Sequence, residues 1–236
     1  MAYFTMIDII LPFIIAFVTA LIPIVIWLYF LEQEDKHPEP KRLLLYAFLA
    51  GFIAVAVAIA FEKAVADVVS DTTLMILCWA AIEELVKYIL VYLIVLRRIE
   101  NDEPIDSLMY IIATALGFSA LENALFILDP IMQGNFTEAF IIGNFRFIGA
   151  TLLHTVSSSI IGLAIAFAFY KSRASQRLYL AVGIILAILL HTFFNLSIII
   201  SNGSKTLIAF FAVWVGLVFI FLLIEKVKKI KSNNAN

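Results

Sequence analysis

A chain of 236 residues that is 64% hydrophobic and 14% charged, with a mean hydropathy of +1.05, lies far from the mix of a soluble domain. Its net charge of −2, with basic residues confined to short connections, excludes a nucleic-acid-binding surface. The lone Cys78 excludes an intramolecular disulfide and a CxxC metal or redox site.

About 20 apolar residues cross the hydrocarbon core of a bilayer, and seven such segments are predicted, roughly at 7–31, 43–61, 73–96, 105–128, 141–170, 178–201 and 206–225. The first has no basic leading region and no clear cleavage site, so it reads as a mature helix. The half-polar segment Ile131 to Arg146, "IMQGNFTEAFIIGNFR", reads as one that dips into the membrane rather than as a plain loop. No stretch between these segments is long enough for a soluble domain, and no internal repeat is evident. Residues 1–236 therefore read as one integral-membrane domain, an all-α polytopic protein in a lipid bilayer.

The connections set the orientation. Lys36, Lys41, Arg42, Arg97, Arg98, Lys171, Arg173, Arg177 and four lysines of the C-terminal tail lie in alternate connections, which makes 12 of the 16 basic residues; the other connections hold only Lys63 and Lys205. This asymmetry predicts an outside N-terminus and a cytoplasmic C-terminus.

Polar residues inside the spans then acquire a depth. Span three carries "EELVK", with Glu83, Glu84 and Lys87; Glu83 lies roughly 15 Å below the outer face, counted at about 1.5 Å per residue from Thr73. Glu122, with Asn123 beside it in "GFSALENALF", lies roughly 9 Å from the same face on span four. His154 on span five and His191 on span six fall at comparable depth. Four helices thus present ionisable groups in the outer half of the bilayer, and independent structural accidents would not agree in level.

Within each cluster the spacing is helical. Glu83 and Lys87 are i,i+4 with the acid first, the favourable order for an intrahelical ion pair, whereas Glu84 points about 100° away. Phe118 and Glu122 share a face, as do His191 and Asn195, the latter pair arranged as two donors aimed at one oxygen. His154 has Ser158 one turn on. Bland readings stand beside these: a lone intramembrane His or Asn commonly joins helices, Glu83 with Lys87 forms a neutralised pair, and Arg146 either snorkels or steers a carboxylate. Asp8, Glu62, Asp67 and Asp106 lie near span ends, where solvation or helix-terminus charge suffices. For the set as a whole the structural reading is weaker, because each ionisable group in a membrane costs at least about 2.5 kcal/mol on insertion scales.

Carboxylates, imidazoles and an amide facing one aqueous compartment suit hydrolysis. A buried carboxylate takes the proton of a water attacking a peptide carbonyl, and N–H groups stabilise the oxyanion. The same residues suit a divalent metal such as zinc, with Glu83, Glu122, His154 and His191 as candidate ligands. HExxH is absent, so a zincin helix is excluded and metal dependence stays open.

"EELVK" resembles the EExxK motif of the PrsW family of bacterial intramembrane proteases, and "FSALE" its FxxxE motif. "DSLMYIIATALGFSALENALFIL" is similar to the longer family pattern, and "HTVSSSIIG" and "HTFFN" match the two later His motifs in order. The resemblance covers about residues 79–197, within a motif-bearing core of about 73–201. It implies a peptidase of the bacterial cell membrane, within the CAAX prenyl endopeptidase and bacteriocin-immunity superfamily, whose other members carry His where this chain has Glu122. The implied substrate is a single-span membrane protein, typically an anti-sigma factor, cut near its extracytoplasmic side to start a cascade that releases a sigma factor. By the same resemblance Glu83 is the water-activating base, tuned by Glu84 and Lys87. Glu122 and His154 hold or polarise the water or metal, and His191 with Asn195 forms the oxyanion site.

Two rival classes share some of these features. An ion- or proton-coupled transporter also uses membrane Glu, His and Lys, but such folds favour repeated halves and broken helices. A rhomboid-type serine peptidase would use Ser119, in the degenerate "GFSA" setting, with His191.

Overall fold

The computed structural model describes residues 6–33 and 40–231, and among these every regular element is helical. In chain order the helices are α1 Met6–Glu32, α2 Lys41–Ala66, α3 Thr72–Val91, α4 Pro104–Met132, α5 Phe136–Arg146, α6 Leu152–Ala168, α7 Arg173–Ile199 and α8 Thr206–Val227. A π turn, Tyr92–Leu96, ends α3, and another, Phe147–Thr151, joins α5 to α6 in one rod of 33 residues. Seven rods result among the described residues, in the seven places read from the sequence. Six are long and apolar enough to cross a membrane. The other, α3, is set apart by carrying Glu83, Glu84 and Lys87 within 20 residues. The protein is a polytopic membrane protein. Lys36 and the side chain of Asp8 lie outside the described residues.

The half-polar stretch before span five is a turn followed by helix, not a plain loop, and its helix is the start of the 33-residue rod. A short turn at Gln133–Asn135 leads into α5, whose first turn is capped by the Asn135 Oδ1 accepting from the Glu138 N–H at 3.2 Å. Asn135 and Glu138 cap the helix start, Thr137 and Asn144 are exposed, and Arg146 turns inward. Acids cap two other helix starts, as expected for Asp106 and in addition at Asp71. Asp71 Oδ1 accepts from Leu74 N–H at 2.7 Å, and Asp106 Oδ2 accepts from the N–H groups of Asp102 and Glu103 at 2.9 and 2.6 Å.

Helix α4 is the centre of the bundle. It packs against α1, α2 and α6, and it is buried without interruption from Pro104 to Ala120. The outer rods point large apolar side chains away from the protein, as with Phe211 on α8 and Ile185 on α7. That is the inverse of a soluble fold and suits a lipid surround, where apolar exposure carries no penalty.

Close contact between α2 and α4 fixes the frame on which α3 is hung. A Cβ at Gly117 would overlap the Phe48 carbonyl, and one at Gly51 would overlap the backbone of Thr114 and Phe118. The Thr114 hydroxyl lies 2.9 Å from the Ala47 carbonyl across the same seam. Small residues that let backbones touch are the membrane solution to helix association, since lipid offers no hydrophobic drive between helices. Gly117→Val is therefore expected to destabilise the fold by about 1–3 kcal/mol through overpacking, read as a lower thermal unfolding midpoint in detergent. Gly143→Ala, whose added Cβ would meet only an Ile127 methyl at 3.7 Å, is the control and should leave the midpoint almost unchanged.

Candidate active site

Glu83 and Glu84 on α3, Glu122 on α4, His154 on α6 and His191 on α7 converge inside the bundle. Glu84 is wholly buried and accepts from four donors on three helices. Its Oε1 receives Lys87 Nζ at 2.6 Å, His191 Nδ1 at 2.9 Å and Ser157 Oγ at 3.0 Å; its Oε2 receives Ser158 Oγ at 2.8 Å. A carboxylate survives in such surroundings only when donors replace its lost water.

This arrangement corrects the pairing inferred from spacing. Lys87 binds Glu84, three residues away, rather than Glu83, four away. The reason is tertiary: the Lys87 ammonium also faces His154 Nδ1 at 3.2 Å and lies 4.8 Å from the centre of the Phe118 ring, so it is drawn toward α6 and α4.

The two histidines are held in opposite senses. With Glu84 accepting at His191 Nδ1, that nitrogen carries the proton and Nε2 is left with its lone pair. His154 presents Nε2 to Glu122 Oε2 at 2.9 Å, which leaves Nδ1 as the acceptor facing Lys87. Both unprotonated nitrogens face Glu83 Oε2, at 3.6 Å for His154 Nδ1 and 3.8 Å for His191 Nε2. Among the described residues, Glu83 Oε2 is the buried side-chain oxygen that has no hydrogen-bond partner.

These three residues fit a divalent metal. One donor atom from each lies within 4.8 Å of the other two, and donors sharing a tetrahedral zinc at about 2.1 Å lie roughly 3.4 Å apart. Each imidazole has its remaining nitrogen fixed by a carboxylate, the usual support behind a metal-bound histidine. Lys87 competes with a metal for the His154 Nδ1 lone pair. Glu122, read as a further candidate ligand, stands outside this group; its Oε2 receives His154 and Arg146 instead.

Arg146 is therefore no snorkelling side chain. Its Nη2 donates to Glu122 Oε2 at 2.6 Å and its Nε to Asn123 Oδ1 at 2.8 Å, and Asn123 Nδ2 in turn donates to Thr151 Oγ1 at 2.8 Å. Asn195 is half-buried one turn beyond His191 and stands apart from the hydrogen-bonded cluster. Ser119, the serine of the rhomboid-type reading, is buried and donates to its own helix at the Ala115 carbonyl, 2.9 Å away, rather than to His191.

Two residues escaped the sequence reading. Ser157 stands beside Ser158 in "HTVSSS", and both reach Glu84 because its two oxygens lie between them. Glu62 reads as an end-of-span acid, yet it lies close enough to Glu83 for the two carboxyls to influence each other. The Trp79 indole donating to the Glu62 carbonyl at 3.1 Å ties α2 to α3 there. No local motif marks Glu62; only the packing of α2 on α3 does.

Membrane-length helices around a buried set of carboxylates and imidazoles define a polytopic membrane protein with a hydrolase-type interior site. The sequence model described as PrsW family intramembrane metalloprotease matches residues 39–224, and the chain belongs to that family. Among similar curated proteins, the Protease PrsW of Geobacillus kaustophilus is 28% identical over 69% of this chain and 70% of its own length. Those of Clostridioides difficile and Oceanobacillus iheyensis are 25% and 23% identical, covering 78% and 73% of this chain and 79% and 78% of their own. No solved structure matches significantly. The protein is a multi-pass intramembrane protease.

Because Lys87 is, among the described residues, the only ammonium on Glu84, Lys87→Met should leave an uncompensated buried carboxylate and cost about 3–5 kcal/mol of stability. Adding Glu84→Gln to that variant is expected to cost less than the sum of the two single changes, as measured by thermal unfolding of all three proteins.

Proposed function

We propose that the protein is a glutamate-dependent endopeptidase that hydrolyses a peptide bond of a single-span membrane protein near its extracytoplasmic side. The observation that carries this reading is the unpartnered Glu83 Oε2 with an imidazole lone pair turned toward it from each of two histidines. Glu83 takes a proton from the attacking water as its oxygen bonds to the peptide carbonyl carbon, and returns that proton to the leaving amine as the C–N bond breaks. Glu84 and Glu122 hold His191 and His154 in the tautomers described. Asn123 steadies Arg146 and Thr151, and Asn195 offers its amide N–H to the carbonyl oxygen. Lys87 neutralises Glu84.

Glu83, His154 and His191 are the residues that would hold a divalent cation such as zinc. When bound, that ion supplies Lewis acidity and a more acidic water. The excess of carboxylates over side-chain cations in the cluster favours such a ligand.

The charge asymmetry of the connections supports an outside N-terminus, a cytoplasmic C-terminus and a site in the outer half of a bacterial cell membrane. The residues 1–236 form one peptidase domain on this reading. The four ordered motifs support an anti-sigma factor as substrate, and two acids with two histidines support kinship with the CAAX prenyl endopeptidases.

The test is reconstitution of the purified protein with a single-span anti-sigma factor from the same genome. Glu83→Gln should lower cleavage by about 10²–10⁴-fold while leaving the unfolding midpoint near that of wild type. Ser119→Ala should cleave almost normally. Removal of divalent metal with a chelator is expected to stop cleavage, and zinc to restore it. Cleavage that survives both Glu83→Gln and chelation would sink the proposed mechanism.

A further inference from the structure

The π turn between α5 and α6 separates two residues that meet on one atom. Arg146 and His154 both hydrogen-bond Glu122 Oε2, from 2.6 and 2.9 Å. They are eight positions apart. In an unbroken α-helix that separation is about 800° of rotation, which leaves the two side chains about 80° out of phase. The π turn, Phe147–Thr151, accommodates one extra residue. The separation then corresponds to about seven α-helical steps, near 700°, or about 20° short of two full turns. The insertion therefore puts guanidinium and imidazole on one face, two turns apart.

The Arg146 end of this device is fastened on three sides. Besides Glu122, it donates to Asn123 Oδ1, and its guanidinium lies 3.6 Å from the centre of the Phe126 ring. A second tie spans the turn itself, since Asn123 Nδ2 donates to Thr151 Oγ1. The face of α4 formed by Glu122, Asn123 and Phe126 thus grips the rod on both sides of the π turn.

We infer that Arg146 is a positioning residue of the peptidase, which acts through Glu122 to hold His154 with Nε2 protonated and Nδ1 turned to Glu83, the π turn setting the register that allows it. This rests on the reading of Glu83 and His154 as the working site. A point charge in place of the guanidinium cannot serve Glu122 and Asn123 as a fork.

The experiment uses the full chain labelled with [¹⁵N]histidine in detergent micelles, the His154 signals being assigned by comparison with His154→Gln. The ring-nitrogen shifts report which nitrogen of His154 carries the proton. Wild type is expected to show the single Nε2-protonated form. Lys87 Nζ, a donor 3.2 Å from Nδ1, opposes protonation there in every variant, so Arg146→Ala should leave Nδ1 unprotonated but shift and broaden the Nε2 and Nε2–H signals as Glu122 loses its fixed position. Arg146→Lys should give an intermediate spectrum, and guanidinium chloride at millimolar concentration should return Arg146→Ala toward wild type. If Arg146→Ala does not fold, Arg146→Gln carries the same comparison, its amide offering one uncharged donor.

An arginine-free variant whose His154 signals match those of wild type overturns the inference. Cleavage assays on the same samples separate the two levels. Displaced His154 signals accompanied by slower cleavage support both positioning and the reading of Glu83 and His154 as the working site. Displaced signals with cleavage at the wild-type rate uphold positioning and overturn that reading of the site.

Discussion

Everything at the site depends on the burial of one carboxylate. Glu84 is wholly enclosed, and taking an ion out of water costs several kcal/mol even after the protein relaxes. The fold meets that cost with donors from α3, α6 and α7: Lys87, Ser157, Ser158 and His191. Each donor is consequently held in place as much as it holds. The α6 serines cannot slide and the His191 ring cannot flip without leaving part of Glu84 bare. Three helices that have no hydrophobic reason to associate in lipid are in this way locked at one depth and one rotation.

The adjacent acid has the opposite surroundings. Glu83 Oε2 is buried with no hydrogen-bond partner, an arrangement that a structure retains at a site with work to do. The contrast between neighbouring residues follows from about 100° of helix rotation. One carboxylate turns into a shell of donors and the other into the space between two imidazoles. Glu122 repeats on the far side what Glu84 does on the near side, so the two histidines are braced by separate carboxylates and their free lone pairs face each other across Glu83. The FxxxE spacing gains its meaning here too, since Phe118 provides the ring beneath Lys87 and beside His154, while Glu122, one turn on, receives the latter's Nε2.

The frame that delivers these groups is held elsewhere. Contact of α2 with α4 at Gly51 and Gly117 brings α4 to the middle of the bundle, and α6 and α7 are laid on α4 and on each other. In a bilayer the apolar surface cannot rank one packing over another, so close backbone approach and the polar cluster carry the specificity. The π turn in the long rod belongs to the same economy. It changes the phase of a helix without breaking its backbone hydrogen bonding, which lipid would not allow.

Much of this was legible in the residues themselves. The seven rods followed from hydropathy, because a bilayer demands a fixed length of apolar helix. The meeting of Glu83, Glu122, His154 and His191 followed from depth, because rise per residue is constant along a helix. Which partner each group takes was not legible. Spacing favoured Lys87 with Glu83, and the tertiary structure gave it to Glu84, because i,i+3 and i,i+4 are nearly equal choices until a neighbouring helix supplies His154 to tip them. Arg146 lay eight positions from His154, off its face by any regular count, and the π turn that reconciles them leaves no signature in composition. Glu62 resembled an end-of-span acid until α2 was packed on α3. Sequence alone determined which chemistry enters the membrane and at what level, since both are properties of single helices; only the tertiary structure decided which atoms face one another, since that rests on helix rotation and close approach.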